Sequence, residues 1–279
     1  MTRILVDGVR YEVRVGGSGP GLLLLHGFTG SGAAWGPFLP ALRATMTTIQ
    51  VDLLGHGHSD SPTDPARHAV ECQAVDLAQI CREVADGPVA VLGYSFGARV
   101  ALALALAEPT IGSRLVLESP SAGIADPAER EARRAADETL AADIERDGIP
   151  AFVDRWEELP LFASHAALPD ATRGRLHDQR LRNDPAGLAA SLRGAGQGVM
   201  SPFHSRLVEV RVPTLVVCGA LDPARPRAAF VAAHIPGAGL VEIPGVGHTP
   251  HLESPARFRA AVLPFLTAIA TATNPQEIH

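Results

Sequence analysis

The chain has 279 residues, of which 46% are apolar and 19% are charged, a balance that is typical of a globular protein. This length fits one large domain or a domain with an insertion. The formal net charge of −6 gives no indication of binding to nucleic acid or to an anionic membrane surface. The sequence has no signal-peptide pattern and no apolar run long enough to cross a bilayer, so we expect a cytoplasmic protein.

The cysteines, Cys72, Cys81 and Cys218, are scattered along the chain. Their spacing matches neither a metal site nor a disulfide framework, so we expect reduced thiols and no bound metal. All 24 basic residues are arginine, because the chain contains no lysine. An arginine at a given position is therefore weak evidence that the position requires arginine rather than lysine.

Short apolar runs that are rich in leucine and β-branched residues predict β-strands along most of the chain. Continuous runs are typical of strands buried on both faces, as in a parallel sheet that is covered by helices. Helical patterns such as Ala74–Ala85 and Ala98–Ala107 lie between these runs, which predicts an α/β fold. The predicted strands are Arg10–Val15, Leu22–Leu25, Thr48–Val51, Val89–Leu92, Leu115–Leu117, Leu215–Val217 and Leu240–Ile243.

This alternation stops between about Pro120 and Gly198, where no strand is predicted. An all-helical insertion in an α/β domain is most simply a lid beside the active site. We therefore expect a core formed by residues 1–119 and 199–270, a lid formed by residues 120–198, and a frayed polar tail at residues 271–279. The predicted helices of the lid are Ala128–Asp147, Ile149–Glu157, Asp170–Leu181 and Gly187–Leu192.

A serine lies between two glycines in GYSFG, which spans residues 93–97 between a predicted strand and a predicted helix. This context is typical of a nucleophile elbow, in which a tight turn strains the serine backbone and presents its hydroxyl above the sheet. Glycine is needed two residues to either side, because a side chain there would collide with the turn. We predict that Ser95 is catalytic; the alternative is a serine that only caps the helix.

A nucleophile elbow predicts an acid after a later strand and a histidine after the last strand. Asp222 follows a strand in TLVVCGALDPARP, and His248 lies in the loop GVGHTPHLESP. Glu118 is the rival acid, because it also follows a predicted strand, and His251 is the rival histidine. We prefer Asp222 and His248, because they occupy the usual places of such a triad.

An oxyanion hole needs two backbone N–H groups that point at one oxygen. We assign them to Phe96, directly after the serine, and to Phe28 in LLLLHGFTG, which follows a predicted strand. Together with VDLLGHGHSDSP, GALDP and GVGHTPHLE, these parts resemble the ordered landmarks of the α/β-hydrolase superfamily over nearly the whole chain. The resemblance implies the α/β-hydrolase fold, a mostly parallel sheet flanked by helices, with a helical lid insertion.

Arg99 lies four residues after Ser95, so both side chains are expected on the same side of the helix. Its neighbours, Ala98 and residues 100–103, are apolar and indicate burial. A buried guanidinium is costly without an anion nearby, which a lid carboxylate or a substrate carboxylate would supply. The opposing interpretation is a surface arginine that reflects the composition of the chain.

The lid sequence resembles that of one smaller group within this superfamily. GYSxGxR, ExxSxG followed by R-x-x-R-R…D, W…PxFAS and R…GLAxSLRGxGxG occur together here, as in the 2-succinyl-6-hydroxy-2,4-cyclohexadiene-1-carboxylate (SHCHC) synthases of menaquinone biosynthesis. One departure is Ala98, where that family often has glycine, a small change that should be tolerated. The resemblance implies a substrate-binding set of arginines and aromatics, namely Arg99, Arg133, Arg180, Tyr94, Trp156 and Phe162, and leaves the roles of Arg130 and Arg134 open.

The same resemblance implies a lyase that eliminates pyruvate from 2-succinyl-5-enolpyruvyl-6-hydroxy-3-cyclohexene-1-carboxylate, without a metal or organic cofactor. The alternative enzyme is a serine carboxylesterase or C–C bond hydrolase that uses the same triad covalently. The arginine set favours the lyase, since a neutral ester gains little from several cations. A catalytically silent binding protein is a third possibility, which the intact Ser, Asp and His disfavour. The expected partner is a small polycarboxylate, and the oligomeric state stays open.

Overall fold

The computed structural model describes residues 2–268, which form one eight-stranded sheet with helices on both faces. In sheet order the strands are β1, β2, β4, β3, β5, β6, β7 and β8. The six strands β4, β3, β5, β6, β7 and β8 run parallel to one another, while β2 pairs antiparallel with both β1 and β4. The bounds are β1 Thr2–Val6, β2 Val9–Gly17, β3 Gly21–Leu25, β4 Thr47–Val51, β5 Val89–Tyr94, β6 Gly112–Glu118, β7 Thr214–Gly219 and β8 Gly239–Ile243.

The N-terminal hairpin was not predicted from the sequence. β1 and β2 are joined by Asp7 and Gly8, whose φ angles of 45° and 79° are both positive. Two-residue hairpin turns with two positive φ angles favour Asp-Gly, so this dipeptide between apolar residues was a signal that could have identified the hairpin.

The sheet separates two apolar layers, as the continuous apolar runs predict. In β3, Leu23 and Leu25 pack into one cluster, and Leu22 and Leu24 pack into the other. Both layers are covered by helices, so the inner strands are buried on both faces. β8 differs from this expectation, as the 40% exposure of Leu240 shows. The reason is that β8 forms the edge of the sheet.

Nine α-helices lie among the described residues, and they follow the α/β alternation except between β6 and β7. None of them is both long and apolar enough to cross a membrane. The mostly parallel sheet with helices on both faces confirms the predicted α/β-hydrolase fold. The helices are α1 Leu39–Arg43, α2 Val70–Val84, α3 Phe96–Ala107, α4 Pro127–Glu157, α5 Asp170–Arg180, α6 Pro185–Ala195, α7 Arg225–His234, α8 Pro250–Glu253 and α9 Pro255–Thr267.

Between β6 and β7 the described chain contains helices and loops, with α4, α5 and α6 and two short 3₁₀ helices, Pro160–Ala167 and His204–Glu209. α4 and α6 enclose an apolar cluster of their own, which includes Ile144, Phe152 and Leu188. This cluster is separate from the two layers of the sheet and gives the inserted segment its own packing. The expected tail, residues 271–279, lies outside the described residues, as do residues 269 and 270 of the expected core.

A kink at Gly148 divides α4 close to the boundary that the sequence predicts between two helices. Gly148 has φ 79° and ψ 173°, a combination that is accessible almost only to glycine. Pro150 follows within the first turn of the second segment, where the missing N–H of proline breaks no helical hydrogen bond.

We predict that Gly148→Ala lowers the free energy of unfolding by about 1–3 kcal/mol, because alanine cannot adopt this backbone conformation without strain. Gly174→Ala is the matched control, since a Cβ at Gly174 meets nothing within 4 Å and the residue lies inside α5. The control should raise stability by about 0.5–1 kcal/mol. Urea unfolding of both variants tests this pair, and equal effects of the two substitutions would contradict the assignment of the kink to the Gly148 backbone.

Candidate active site

The turn from β5 to α3 holds Ser95 in a strained backbone conformation, with φ 50° and ψ −103°. A Cβ on Gly93 would collide with the carbonyl oxygen of Gly97, and a Cβ on Gly97 would collide with the carbonyl oxygen of Leu25. The Ser95 N–H donates to the Glu118 carbonyl oxygen at 2.9 Å, which ties the turn to the end of β6. The two glycines therefore permit a turn that no larger residue would allow at either position.

Three side chains from different parts of the chain form a hydrogen-bonded row at the carboxyl edge of the sheet. Ser95 Oγ donates to His248 Nε2 at 3.0 Å, and His248 Nδ1 donates to Asp222 Oδ2 at 2.9 Å. Asp222 follows β7, and His248 lies in the loop after β8. With a histidine between a hydroxyl and a carboxylate, the arrangement can remove a proton from Ser95 and stabilise the resulting imidazolium.

Asp222 is buried, at 4% exposure, which by itself would raise the pKa of its carboxyl. The hydrogen bond from His248 and the hydrogen bond from the Ala224 N–H outweigh this effect and hold the pKa of Asp222 below its usual value. Asp222 is therefore ionised at neutral pH and accepts a hydrogen bond from His248. This fixes the His248 tautomer in which Nε2 faces Ser95.

The rival acid and the rival histidine contact each other instead. Glu118 Oε1 accepts hydrogen bonds from His251 Nδ1 at 2.8 Å and from the His251 N–H at 2.9 Å. Both residues are fully buried, and the His251 ring lies 4.8 Å from the Trp35 ring between their centroids. This pair braces the loop of His248 from beneath, and neither side chain forms a hydrogen bond with the Ser95 hydroxyl.

The backbone N–H groups of Phe28 and Phe96 donate to no acceptor within residues 2–268, so both are available to an oxyanion. Phe96 begins α3, where the helix dipole also favours negative charge. His26 holds the other loop in place, because its Nε2 accepts from the Leu53 N–H at 3.0 Å and its Nδ1 donates to the Gly27 carbonyl at 2.8 Å. A Cβ on Gly27 would overlap the ring of Tyr94.

A cavity of about 300 Å³ opens above Ser95, a volume within the range of small-molecule sites. Phe28, Tyr94, Trp156 and Phe162 supply aromatic lining. The Trp156 ring centroid lies 5.4 Å from that of Phe28 and 5.7 Å from that of Phe162. Within the described chain the buried Trp156 Nε1 has no hydrogen-bond acceptor, so a ligand in the cavity could accept from it.

The charges that line this cavity are all positive. Arg99, Arg133 and Arg227 contribute guanidinium groups, and the lining contains no Asp or Glu within residues 2–268. The whole chain, in contrast, has 30 acidic and 24 basic residues. The cavity therefore has a local charge opposite to the net charge of the protein and favours a polyanionic ligand.

Arg99 is 9% exposed, and no carboxylate of the described residues lies within ion-pair distance of it. Its Nη1 donates to the Ala195 carbonyl at 2.5 Å, and the guanidinium lies 5.0 Å from the Phe96 ring centroid. Burial lowers the pKa of Arg99, nearby Arg133 acts in the same direction, and Asp137 partly opposes them. The protonated guanidinium is thus destabilised by its surroundings, and an anion in the cavity would relieve this cost.

Arg133 reaches the cavity from α4, and its Nε donates to Asp137 Oδ1 at 2.8 Å. Asp137 is buried, and its Oδ2 has no hydrogen-bond donor among the described groups. This carboxylate orients Arg133 and compensates part of the positive charge shared by Arg99 and Arg133.

The position of Arg180 does not fit the expectation that it binds a substrate carboxylate directly. Arg180 does not line the cavity above Ser95, and its Nη1 donates to Glu157 Oε1 at 2.7 Å. Its guanidinium lies 5.1 Å from the ring centroid of Phe162, which does line the cavity. Glu157 neutralises the charge of Arg180, and Phe162 lies between Arg180 and the cavity. Arg180 therefore contacts the site only indirectly, through the Phe162 ring.

Sequence reasoning missed two polar residues of the lining, Arg227 and Gln197. Arg227 lies in the first turn of α7, five residues after Asp222, and that spacing was a signal that could have identified it. Gln197 Oε1 accepts from Ser121 Oγ at 2.9 Å, a contact between two distant parts of the chain that no local pattern indicates.

Comparison with known proteins agrees with this geometry. A family model described as the alpha/beta hydrolase family matches residues 22–261. A Bacillus subtilis protein, provisionally named a 2-succinyl-6-hydroxy-2,4-cyclohexadiene-1-carboxylate synthase, is 40% identical over 94% of this chain and 97% of its own. A Serratia proteamaculans protein of that name is 30% identical over 88% of this chain and 93% of its own.

The fold has a similar counterpart among solved structures. The structure of MenH from S. aureus has 33% sequence identity and a TM-score of 0.87, and the match covers 92% of this chain and 97% of that one. Coverage of this extent includes both the sheet and the inserted helices. The chain therefore belongs to the alpha/beta hydrolase family and, within it, to the group that contains the SHCHC synthases.

Proposed function

We propose that the protein is an SHCHC synthase, a lyase that eliminates pyruvate from 2-succinyl-5-enolpyruvyl-6-hydroxy-3-cyclohexene-1-carboxylate. The observation that carries the proposal is the cavity above Ser95, which three arginines line and no acidic side chain of residues 2–268 enters. The substrate has three carboxylates, on the ring, the succinyl group and the enolpyruvyl group. Its charge is complementary to the cavity, and guanidinium groups pair with carboxylates through two parallel hydrogen bonds.

In this proposal Arg99 and Arg133 each bind one carboxylate, while Phe28, Tyr94, Trp156 and Phe162 enclose the ring. Arg99 supports this role because it is buried without an acidic partner in the described structure, and a bound carboxylate would supply one. Arg133 already has Asp137 on its Nε, which leaves its Nη groups for a ligand. Arg180 acts through Phe162 as a positioning residue of the aromatic lining.

Ser95, His248 and Asp222 act as the base of the elimination. His248 Nε2 accepts the Ser95 hydroxyl proton as Ser95 Oγ removes the ring proton that is acidified by the succinyl carbonyl. The electron pair forms a double bond between C2 and C3 of the ring, the existing double bond shifts from C3–C4 to C4–C5, and the C–O bond between C5 and the enolpyruvyl group breaks. The departing enolpyruvate takes a proton from His248 and becomes pyruvate, so that a cyclohexadiene remains. No metal or organic cofactor takes part in this scheme.

The carbonyl oxygen of the succinyl group becomes enolate-like when the proton leaves. We infer that the Phe28 and Phe96 N–H groups stabilise this oxygen, as oxyanion holes stabilise tetrahedral intermediates in ester hydrolysis. The two groups support this role because neither has an acceptor within residues 2–268. Each such donor is worth about 10²–10³-fold in kcat in well-studied enzymes.

The same row of Ser95, His248 and Asp222 also fits a serine esterase, in which Ser95 attacks a carbonyl carbon. The charge of the cavity favours the lyase over this alternative. A neutral ester would leave the buried Arg99 without an anion, whereas the polycarboxylate provides one. An aqueous metabolite of this charge also suits a cytoplasmic enzyme.

We predict that the wild-type protein releases pyruvate from the enolpyruvyl substrate and that Ser95→Ala and His248→Ala each lower kcat by at least ~10³-fold. The two residues act as one unit, so the double variant should be no worse than about threefold below either single variant. A coupled lactate dehydrogenase assay measures pyruvate directly. A wild-type protein that releases no pyruvate would contradict the proposed function, and nearly normal turnover in either variant would contradict the role of the triad.

We predict that Asp222→Asn lowers kcat by at least ~10²-fold, because an amide favours the wrong tautomer of His248. Glu118→Gln is the matched control. Glu118 is also a buried carboxylate at the carboxyl edge of the sheet, but its side chain contacts His251 and not His248. The control should change kcat by less than about fivefold, although it lowers the melting temperature because the buried carboxylate that accepts two hydrogen bonds from His251 becomes a neutral amide. Steady-state kinetics on both variants test the assignment, which a larger loss in Glu118→Gln than in Asp222→Asn would overturn.

We predict that Arg99→Ala lowers kcat/KM for the polycarboxylate by about 10²–10³-fold, the usual scale for losing one partner of a desolvated charge pair. Any slow hydrolysis of a small neutral ester, such as p-nitrophenyl acetate, should change by less than about threefold. The ratio of the two losses is the measurement. Equal losses on both substrates would show that Arg99 acts on the fold of the site, and the esterase proposal would then be preferred.

A further inference from the structure

We propose that Arg227 attracts the carboxylates of the substrate and guides the anion into the cavity from solvent. This inference rests on the proposed function and extends it, since the substrate-binding set expected from the sequence does not include Arg227. Its position at an exposed part of the lining, its lack of a partner and the charge of the substrate all contribute to the argument.

Arg227 lines the same cavity as Ser95, Arg99 and Arg133, but it comes from α7, on the loop-helix unit that follows Asp222. Unlike Arg99, it is exposed to solvent. A residue that is exposed and still lines the cavity lies where the cavity meets solvent. Arg227 therefore contacts an entering ligand before the buried Arg99 does.

The guanidinium of Arg227 forms no ion pair or side-chain hydrogen bond with any other residue in the range 2–268. Most other arginines of the protein are paired, and its neighbour Arg225 in the same helical turn donates to Glu242 Oε2 at 3.1 Å. Both arginines are exposed and lie on one helical turn, but they differ in their surroundings. Arg225 has an acidic partner, whereas Arg227 lines the cavity. Arg227 is the one whose charge remains available to a ligand.

Among the arginines of the lining, Arg99 is buried, Arg133 is half-buried and Arg227 is exposed. Their guanidinium groups come from three different helices, α3, α4 and α7. Arg227 thus extends the positive charge of the cavity to its opening, where a polycarboxylate first meets the protein.

The exposure of Arg227 determines which kinetic quantity it controls. An exposed charge is screened by salt and contributes little to final affinity, but it attracts an oppositely charged ligand and raises the rate of association. The net charge of the protein is −6, which on average opposes the approach of a trianion, so a local cation at the opening of the cavity favours its entry. Arg227 should therefore affect kcat/KM in a salt-dependent way, in contrast with the buried Arg99.

The test compares Arg227→Gln, its matched control Arg225→Gln and the conservative variant Arg227→Lys, with pyruvate release measured at low and high ionic strength. At low salt we expect Arg227→Gln to lower kcat/KM by about three- to tenfold through KM, with kcat within about twofold of wild type. At 0.5 M salt, where the Debye length is only a few ångströms, the difference from wild type should shrink below about twofold. Arg227→Lys should retain most of the low-salt rate, and Arg225→Gln should match wild type.

The outcomes separate this inference from the proposed function. A wild-type protein that does not release pyruvate would contradict the proposed function before any variant is compared. A wild-type protein that is active, together with an Arg227→Gln variant that matches Arg225→Gln at low salt, would overturn the inference and leave the proposed function intact. A loss in Arg227→Gln that persists unchanged at high salt, or that Arg227→Lys fails to rescue, would also overturn it, because either result indicates a structural role.

Discussion

The turn between β5 and α3 places most of the reactive groups of the site. Its backbone reaches φ 50° and ψ −103° at Ser95, which is possible because Gly93 and Gly97 carry no side chain. The same turn presents the Ser95 hydroxyl to His248 and leaves the Phe96 N–H free at the start of a helix. One helical turn later it brings Arg99 to the same cavity. The strain of one residue thus aligns the three groups that we propose as the base, an oxyanion donor and a carboxylate-binding group.

The surroundings of Arg99 are suited to a bound anionic ligand, because the described part of the protein supplies no anion there. Within the described structure this guanidinium is buried, bonded to a carbonyl oxygen, and has no carboxylate at ion-pair distance. Such a group lowers the stability of the fold in the absence of ligand. The inserted helices add Arg133 and an aromatic lining, and Asp137 limits the repulsion between the two cations. We interpret this arrangement as stability given up in favour of binding a polycarboxylate.

The parts of the site that a local pattern determines were predictable from the sequence. Ser95 and Arg99 follow from one motif and one helical turn, and the buried strands follow from continuous apolar runs. The indirect position of Arg180 was not predictable, because it depends on how distant helices pack against the core. Arg227 had a local signal in its spacing from Asp222, but its place at the lining depends on the same packing. Arg180 faces Glu157, 23 residues away, while Arg227, from α7, lines a cavity to which α3, α4 and α6 also contribute residues. The family resemblance could indicate which residue types to expect, but the packing decides which guanidinium group lines the cavity.

In the proposed reaction Ser95 acts as a base in an elimination and not as a nucleophile in a hydrolysis. The most direct measurement is the mass of the ring product after turnover of the enolpyruvyl substrate, with isotopically labelled water as solvent. Elimination predicts a cyclohexadiene that has lost the whole enolpyruvyl group with its ether oxygen and has gained no oxygen from solvent. A ring product that keeps a hydroxyl at the former ether carbon, heavier than the diene by one water, would contradict the account.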